Sequence, residues 1–267
     1  MFSIFRSALK YIVTLPPFAR FSMQMVERYR ARQGETDIPL KDENGVPVPD
    51  ALLMMTVVGH KNWSQFRASG AKAVETFADL VNRNGGDFSS AERIMDFGCG
   101  CGRLARHLPA YSNAALVGVD YNSKLIDWCA ANLAGTYIKN ELQPPLQLPG
   151  AQIDILYALS IFTHLREETQ IAWLDEYARL LKPGGFALVT FHDATHTHMA
   201  RVNISPEQLA REGIAYYNNR AEGSNLMSTF QSVDHLRALA STHFDVCELI
   251  TSNESSVGQA IAVLRRE

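Results

Sequence analysis

From residue 93 onward, short apolar runs alternate with stretches whose apolar residues recur at helical spacing. The runs at 93–97, 115–119, 153–159 and 186–191 are too short for helices and are bounded by Gly, Pro, Asp or Asn, so they read as buried parallel strands. Between them, 103–108, 123–133 and 166–181 read as helices; in the last, Ile171, Leu174, Ala178 and Leu181 share one face. This alternation predicts an α/β fold, a doubly wound, mostly parallel sheet with helices on both faces.

Upstream, a longer helical pattern at 63–81 carries Phe66, Ala73, Val74, Phe77 and Leu80 on one side and stops before Asn84-Gly85-Gly86. Ahead of it, helical patterns at 2–14 and 18–32 flank Pro16-Pro17, and 33–50 is rich in turn formers. Residues 1–84 are therefore expected to form a helical N-terminal arm and lid, and 85–267 the sheet domain. Within residues 1–21, the stripe Phe2, Phe5, Leu9, Ile12 and Val13 with Arg6, Lys10 and Arg20 has two readings. It packs on the protein or a second subunit, or it makes peripheral contact with a membrane. Lys10 and Pro16-Pro17 argue against a secretory leader.

After Phe191 the alternation breaks. Residues 192–230 are polar and aromatic, and a structureless loop of that length reads as a substrate lid. A helix opening at Ser232 and strand-like runs at 244–250 and 259–264 follow. The turn-rich joint between the two runs predicts a hairpin, with the last strand antiparallel at the end of the sheet.

Composition adds mostly exclusions. The 267 residues are 46% hydrophobic and 20% charged, as in a packed globular enzyme, and a formal charge of −3 offers no basic footprint for nucleic acid. Cys99, Cys101, Cys129 and Cys247 form no C-x-x-C pair and read as reduced thiols, which points to the cytoplasm. No apolar window is long enough to span a membrane.

The chemistry concentrates at 96–102. Asp96-Phe97-Gly98-Cys99-Gly100-Cys101-Gly102 leaves a strand, turns on three alternate glycines and enters a helix. Glycine is required where backbone takes positive φ or lies against a ligand. The next strand ends in Asp120, a carboxylate able to accept both hydroxyls of an adenosine ribose. The D-x-G-x-G-x-G form separates the ligand from a dinucleotide, whose pyrophosphate an acid at Asp96 would oppose. S-adenosylmethionine (SAM) brings an ammonium instead, so SAM is the expected cofactor. An NAD-dependent oxidoreductase on the same sheet is the alternative that this pattern argues against.

The chain here resembles the class I SAM-dependent methyltransferases over roughly residues 93–265. The matching signatures are the turn at 96–102, Asp120, Ile153-Asp154-Ile155-Leu156 as a fourth strand, and Leu181-Lys182-Pro183-Gly184-Gly185 before a fifth. The resemblance implies a seven-stranded sheet with an antiparallel last strand. It implies a SAM site made by Asp96, Gly98, Cys99, Gly100, Gly102 and Asp120, with Tyr121 against the adenine or ribose and Asn140 at the adenine amino group. Residues 158–162, Ser160 among them, would line the methyl end. The tract 158–165 looks like that of small-molecule methyltransferases and lacks the N/D-P-P-Y tetrad of amide and adenine-amine methylation.

The expected activity is in-line methyl transfer to a small-molecule O, N or C nucleophile; a non-catalytic SAM-binding subunit is the other methyltransferase-like reading. His164 is the candidate general base, with helix capping as its bland alternative. Arg67 is a candidate for the cofactor carboxylate, since relatives recruit a basic residue from an N-terminal segment. His192 and Asp193 are expected to touch substrate, with Tyr216, Tyr217, Asn218 and Asn219 in the same wall. His192, His196 and His198 lack the regular-element support of a zinc site, so no metal is expected. No motif encodes the acceptor or the oligomeric state.

Overall fold

The computed structural model describes residues 38–267, so the helical patterns at 2–14 and 18–32, and the membrane reading of 1–21, lie outside the described residues. Helix α1 (Ala51–Val58) opens on Asp50, whose carboxylate accepts the Leu53 N–H, and ends on Gly59 in the left-handed region. The sequence pattern missed this helix, because Ala-Leu-Leu-Met-Met-Thr-Val-Val is almost uniformly apolar and has no periodicity to detect. Helix α2 (Trp63–Arg83) is capped by Asn62 and buries Phe66, Ala73, Val74, Phe77 and Leu80. It packs on the sheet as part of the core rather than standing off as an arm.

The strands are β1 (Arg93–Phe97), β2 (Ala115–Asp120), β3 (Thr136–Lys139), β4 (Ile153–Ala158), β5 (Leu181–Phe191), β6 (Ile214–Tyr217), β7 (Ser228–Gln231), β8 (Phe244–Ile250) and β9 (Ala260–Arg266). Seven of them make one sheet in the order β3-β2-β1-β4-β5-β9-β8. The neighbours from β3 to β5 are parallel, and β9 is antiparallel to both β5 and β8. The last strand is thus antiparallel as expected, but it inserts between β5 and β8 instead of closing the edge. The sequence at the start of β5 departs from regular pairing: Ile153 pairs Leu181 and Ile155 pairs Phe186, so Lys182-Pro183-Gly184-Gly185 loops out of register.

Side chains of alternate parity along each strand feed two cores. Met95, Phe97, Leu156, Ala158, Val189, Ala262 and Leu264 face helices α4 (Glu167–Leu180) and α7 (Val233–Ala240). Ile94, Ile155, Tyr157, Leu188, Ile261 and Val263 face α2. Helix α3 (Ser123–Asn132) follows β2. Between β1 and β2, the predicted helix at 103–108 is replaced by a turn and a 3₁₀ helix, Ala105–Ala110. Pro109 lies inside it and has no N–H to extend an α-helical ladder.

Residues 192–230 are not a structureless loop. They hold two short helices, α5 (His198–Arg201) and α6 (Pro206–Glu212), and the antiparallel pair β6–β7. Met199, Ile204, Leu209, Ala215 and Phe230 form a separate small core for this insertion. Ser205, Pro206 and Gly213 supply cap, first-turn and stop signals for α6. Among the described residues no helix is long and apolar enough to cross a membrane.

Candidate cofactor and active site

The carboxyl ends of β1, β2 and β4 converge on a cavity of about 990 Å³, roofed by α1 and by residues 223–225 of the insertion. Phe97 anchors the end of β1 from below: its ring lies 4.5 Å from Trp173 and 5.1 Å from Tyr177, all three buried. Burying rings of this size stabilises by roughly 1.5–3 kcal/mol each. That packing holds Asp96 and Gly98, on either side of Phe97, at the mouth of the strand.

In the turn, Gly98, Gly100 and Gly102 have φ of 80°, 56° and 72°. A Cβ on Gly98 would come within 2.0 Å of Ile161 Cδ1, and one on Gly100 within 2.8 Å of Val57 Cγ2. Conformation and space therefore both demand glycine there. The turn is tied to β2: Gly98 and Cys99 donate N–H to the Val119 carbonyl at 2.7 and 3.0 Å. Asp120 takes the Gly100 N–H on Oδ2 at 2.9 Å and the Asn122 N–H on Oδ1 at 2.8 Å. Each of its oxygens keeps a further lone pair for a ligand hydroxyl.

Asp96 is buried, and its Oδ2 has no hydrogen-bond partner among the described residues. Burial pushes its carboxyl up to about 8, with Arg103 pulling it down and Asp120 adding to the rise. Burial raises Asp120 to about 6 against the two backbone N–H bonds. Arg103 directly follows the turn; its Nη1 donates to Ser69 Oγ at 3.3 Å while its buried Nε has no partner among the described residues. Helix α2 approaches this arginine through Gly70, where a Cβ would sit 2.2 Å from the Arg103 carbonyl oxygen.

Asp96, Gly98, Cys99, Gly100, Asp120, Tyr121, Asn140, Ser160 and His164 all line the cavity, and Gly102 lies behind it in the turn. Tyr121 is partly exposed at the rim. Asn140 donates Nδ2–H to the Glu141 carbonyl at 2.7 Å, and its buried Oδ1 has no partner among the described residues. The Cys99 thiol is pushed up by its contact with Cys129 and by burial, and burial pushes Cys101 up too, so both are inert fillers. His164 hydrogen-bonds the Met227 carbonyl through Nδ1 at 2.6 Å. Burial lowers its pKa, so the ring is neutral, with hydrogen on Nδ1 and the lone pair on Nε2.

Two groups of candidate residues lie away from the cavity. Arg67 pairs with Glu43 on the exposed side of α2 and does not reach the cavity. Arg103, immediately after Gly102 in the sequence, lines the cavity instead. His192 and Asp193 do not line the cavity. The Asp193 carboxylate is used by Thr195 and by the Ser252 N–H, which tie the insertion to the β8–β9 loop. His192 stacks on His196 at 3.9 Å, with Phe230 beside them. No cluster of His, Cys, Asp or Glu suited to a metal occurs among the described residues. Of the second wall group, Tyr216 accepts the Glu167 N–H at 3.1 Å, which pins the insertion to α4.

A seven-stranded sheet with this strand order and a glycine turn braced by an acid on the neighbouring strand is the architecture of class I methyltransferases. Residues 94–185 match the family model described as "Methyltransferase domain". Residues 94–185 thus carry a methyltransferase domain, set within the seven-stranded sheet.

Among curated proteins, a fatty-acid O-methyltransferase of Mycolicibacterium smegmatis is 28% identical over 153 residues, covering 54% of this chain and 55% of its own length. A tRNA (carboxymethyluridine(34)-5-O)-methyltransferase of Macaca fascicularis is 29% identical over 101 residues, 38% of this chain and 14% of its own length. This chain thus spans between 14% and 55% of those relatives. Among solved structures, a SAM-dependent methyltransferase from Mesorhizobium loti superposes with a TM-score of 0.56 at 16% identity, covering 70% of this chain and 96% of that one.

Proposed function

We propose that the cavity binds SAM through Asp96, Arg103, Asp120 and Asn140, and that the protein transfers its methyl group to a small molecule. One observation carries the reading. Asp96, Arg103 and Asn140 all line the cavity, and each carries a buried polar atom, Asp96 Oδ2, Arg103 Nε and Asn140 Oδ1, with no partner among the described residues. Buried polar groups of native proteins are mostly paired, and these three belong to residues that share one cavity. A carboxylate suits an α-ammonium, a guanidinium suits an α-carboxylate, and an amide oxygen suits an adenine amino group. The Asp120 lone pairs suit ribose hydroxyls, and the glycine turn leaves room beside them.

SAM, when bound, supplies a methyl group already activated by its sulfonium. What remains for the protein is alignment, exclusion of water and removal of a proton where the acceptor carries one. Ser160 and Ile161 form the floor next to the turn. His164 Nε2 is a neutral base on the same wall. Asn225 donates Nδ2–H to the Thr56 carbonyl at 3.0 Å, fastening the insertion to α1 over the cavity. A roofed cavity and a net charge of −3 favour a small molecule over RNA.

Incubation with methyl-tritiated SAM and a metabolite extract tests the assignment. Label is expected in low-molecular-weight products, and His164→Gln is expected to cut incorporation by about two orders of magnitude. Label confined to an RNA fraction would contradict the small-molecule acceptor. Tight SAM binding without any transfer would favour a non-catalytic SAM-binding subunit.

A further inference from the structure

Resting on the reading above, we infer that the acceptor is an uncharged hydroxyl compound with an apolar body, methylated on its oxygen, and not a carboxylate or an amine. The first support is the distribution of charge. The cavity's carboxylate, lysine and arginine side chains are Asp96, Arg103, Asp120, Lys124, Lys139 and Glu141. All six belong to β1, β2 and β3 or to the segments directly following them, where the cofactor is proposed to lie. The remaining wall comes from α1 and the segment after it with His60, from Gln65 and Ser69 of α2, Trp173 of α4, the segment after β4 and the insertion. It presents Thr56, Ser160, Ile161, His164, Leu165 and Asn225, and no carboxylate, lysine or arginine among the described residues. A carboxylate acceptor buried there would lack a cation, and an ammonium would lack an anion, each a costly burial.

The second support is the hydrogen-bonding state of Ser160. Its backbone has φ of 62°, uncommon for a residue with a Cβ. It is held there by a closed set of bonds. The Ser160 N–H donates to Thr190 Oγ1 at 2.8 Å, and Thr190 Oγ1 donates to Gln259 Oε1 at 2.7 Å. Gln259 Nε2 then donates to Ser160 Oγ. With its oxygen accepting from Gln259, the Ser160 hydroxyl has its own hydrogen left to donate toward the cavity. His164, four residues on, offers the complementary lone pair on Nε2, because Nδ1–H is spent on the Met227 carbonyl. The Ser160 donor and the His164 acceptor, on a wall without carboxylate, lysine or arginine among the described residues, match a hydroxyl group, which is both acceptor and donor.

The step balances without another reactant. As the acceptor oxygen forms its bond to the methyl carbon, the carbon–sulfur bond of SAM breaks and its electron pair stays on sulfur. The hydroxyl proton passes to His164 Nε2 and then to solvent. A carboxylate would need no base, so the neutral histidine has a use with a hydroxyl that it lacks with a carboxylate.

Three probes of one size, 2-naphthol, 2-naphthoate and 2-naphthylmethylamine, test the inference on the full chain. Calorimetry with S-adenosylhomocysteine present is expected to show 2-naphthol binding at least about tenfold tighter than either charged probe. With SAM, 2-methoxynaphthalene is the expected product. Ser160→Ala is expected to weaken naphthol binding several-fold more than that of S-adenosylhomocysteine; His164→Gln is expected to block transfer while naphthol still binds. Preferred binding or methylation of naphthoate or the amine overturns the inference. So does SAM binding accompanied by neither binding nor transfer for all three. Failure to bind SAM at all would instead sink the underlying methyltransferase reading.

Discussion

The Asp120 carboxylate accepts the Gly100 N–H at 2.9 Å, so the acid at the end of β2 builds the glycine turn of β1 as well as facing the cavity. Its other oxygen holds the Asn122 N–H, which starts α3. Removing the carboxylate leaves two backbone donors unpaired, each worth about 1–3 kcal/mol where buried. Asp120→Ala is therefore expected to lower both SAM affinity and unfolding stability, the latter by about 2–4 kcal/mol in urea denaturation. An unchanged urea midpoint would show that the turn does not depend on this residue.

Asp96 makes the apoprotein and the SAM complex respond oppositely to pH. Its folded pKa, about 8, lies above the ordinary carboxylate value, so the folded state holds a proton that the unfolded state has lost. The resulting stability is fully present below about pH 4 and lost as pH rises through about 8. Asp120 adds the same sign, complete by about 6. Asp96→Asn is expected to flatten the fall in apoprotein Tm between about pH 7 and 9. An ammonium ligand favours the carboxylate, so SAM affinity is expected to rise with pH over the same interval, with release of up to about one proton. Calorimetry in buffers of different ionisation enthalpy reads that proton directly; proton uptake would contradict the arrangement.

Helix α2 is expected to control the cofactor through Gly70. An alanine methyl there would sit 2.2 Å from the Arg103 carbonyl oxygen, and backbone cannot give way as a flexible side-chain end can. Gly70→Ala is expected to cost about 1–3 kcal/mol and to weaken SAM binding by displacing Arg103. A variant with wild-type stability and affinity would show that α2 has room to move.

The sheet and the cofactor turn were legible in the sequence because each is written in local pattern. Buried strands are continuous apolar runs, and positive φ in a crowded turn leaves glycine little competition. What escaped depends on contacts distant in sequence. Helix α1 has no polar face to give it a period, although Asp50 and Gly59 mark both ends. Residues 192–230 looked like a polar loop because their core is only a few side chains, spread from Met199 to Phe230. Arg67 and Arg103 cannot be ranked by spacing; burial decides, and it places Arg103 beside Asp96 while Arg67 faces outward to Glu43. The insertion of β9 between β5 and β8 is likewise a matter of pairing that a hairpin signal leaves open.

Titration of the wild-type protein and of Asp96→Asn with SAM by calorimetry tests the central claim most directly. One site per chain is expected for the wild type, with affinity reduced at least about tenfold in a variant that remains folded. No binding to the folded wild type at ligand concentrations up to about 1 mM, or equal affinity for the two proteins, would contradict it.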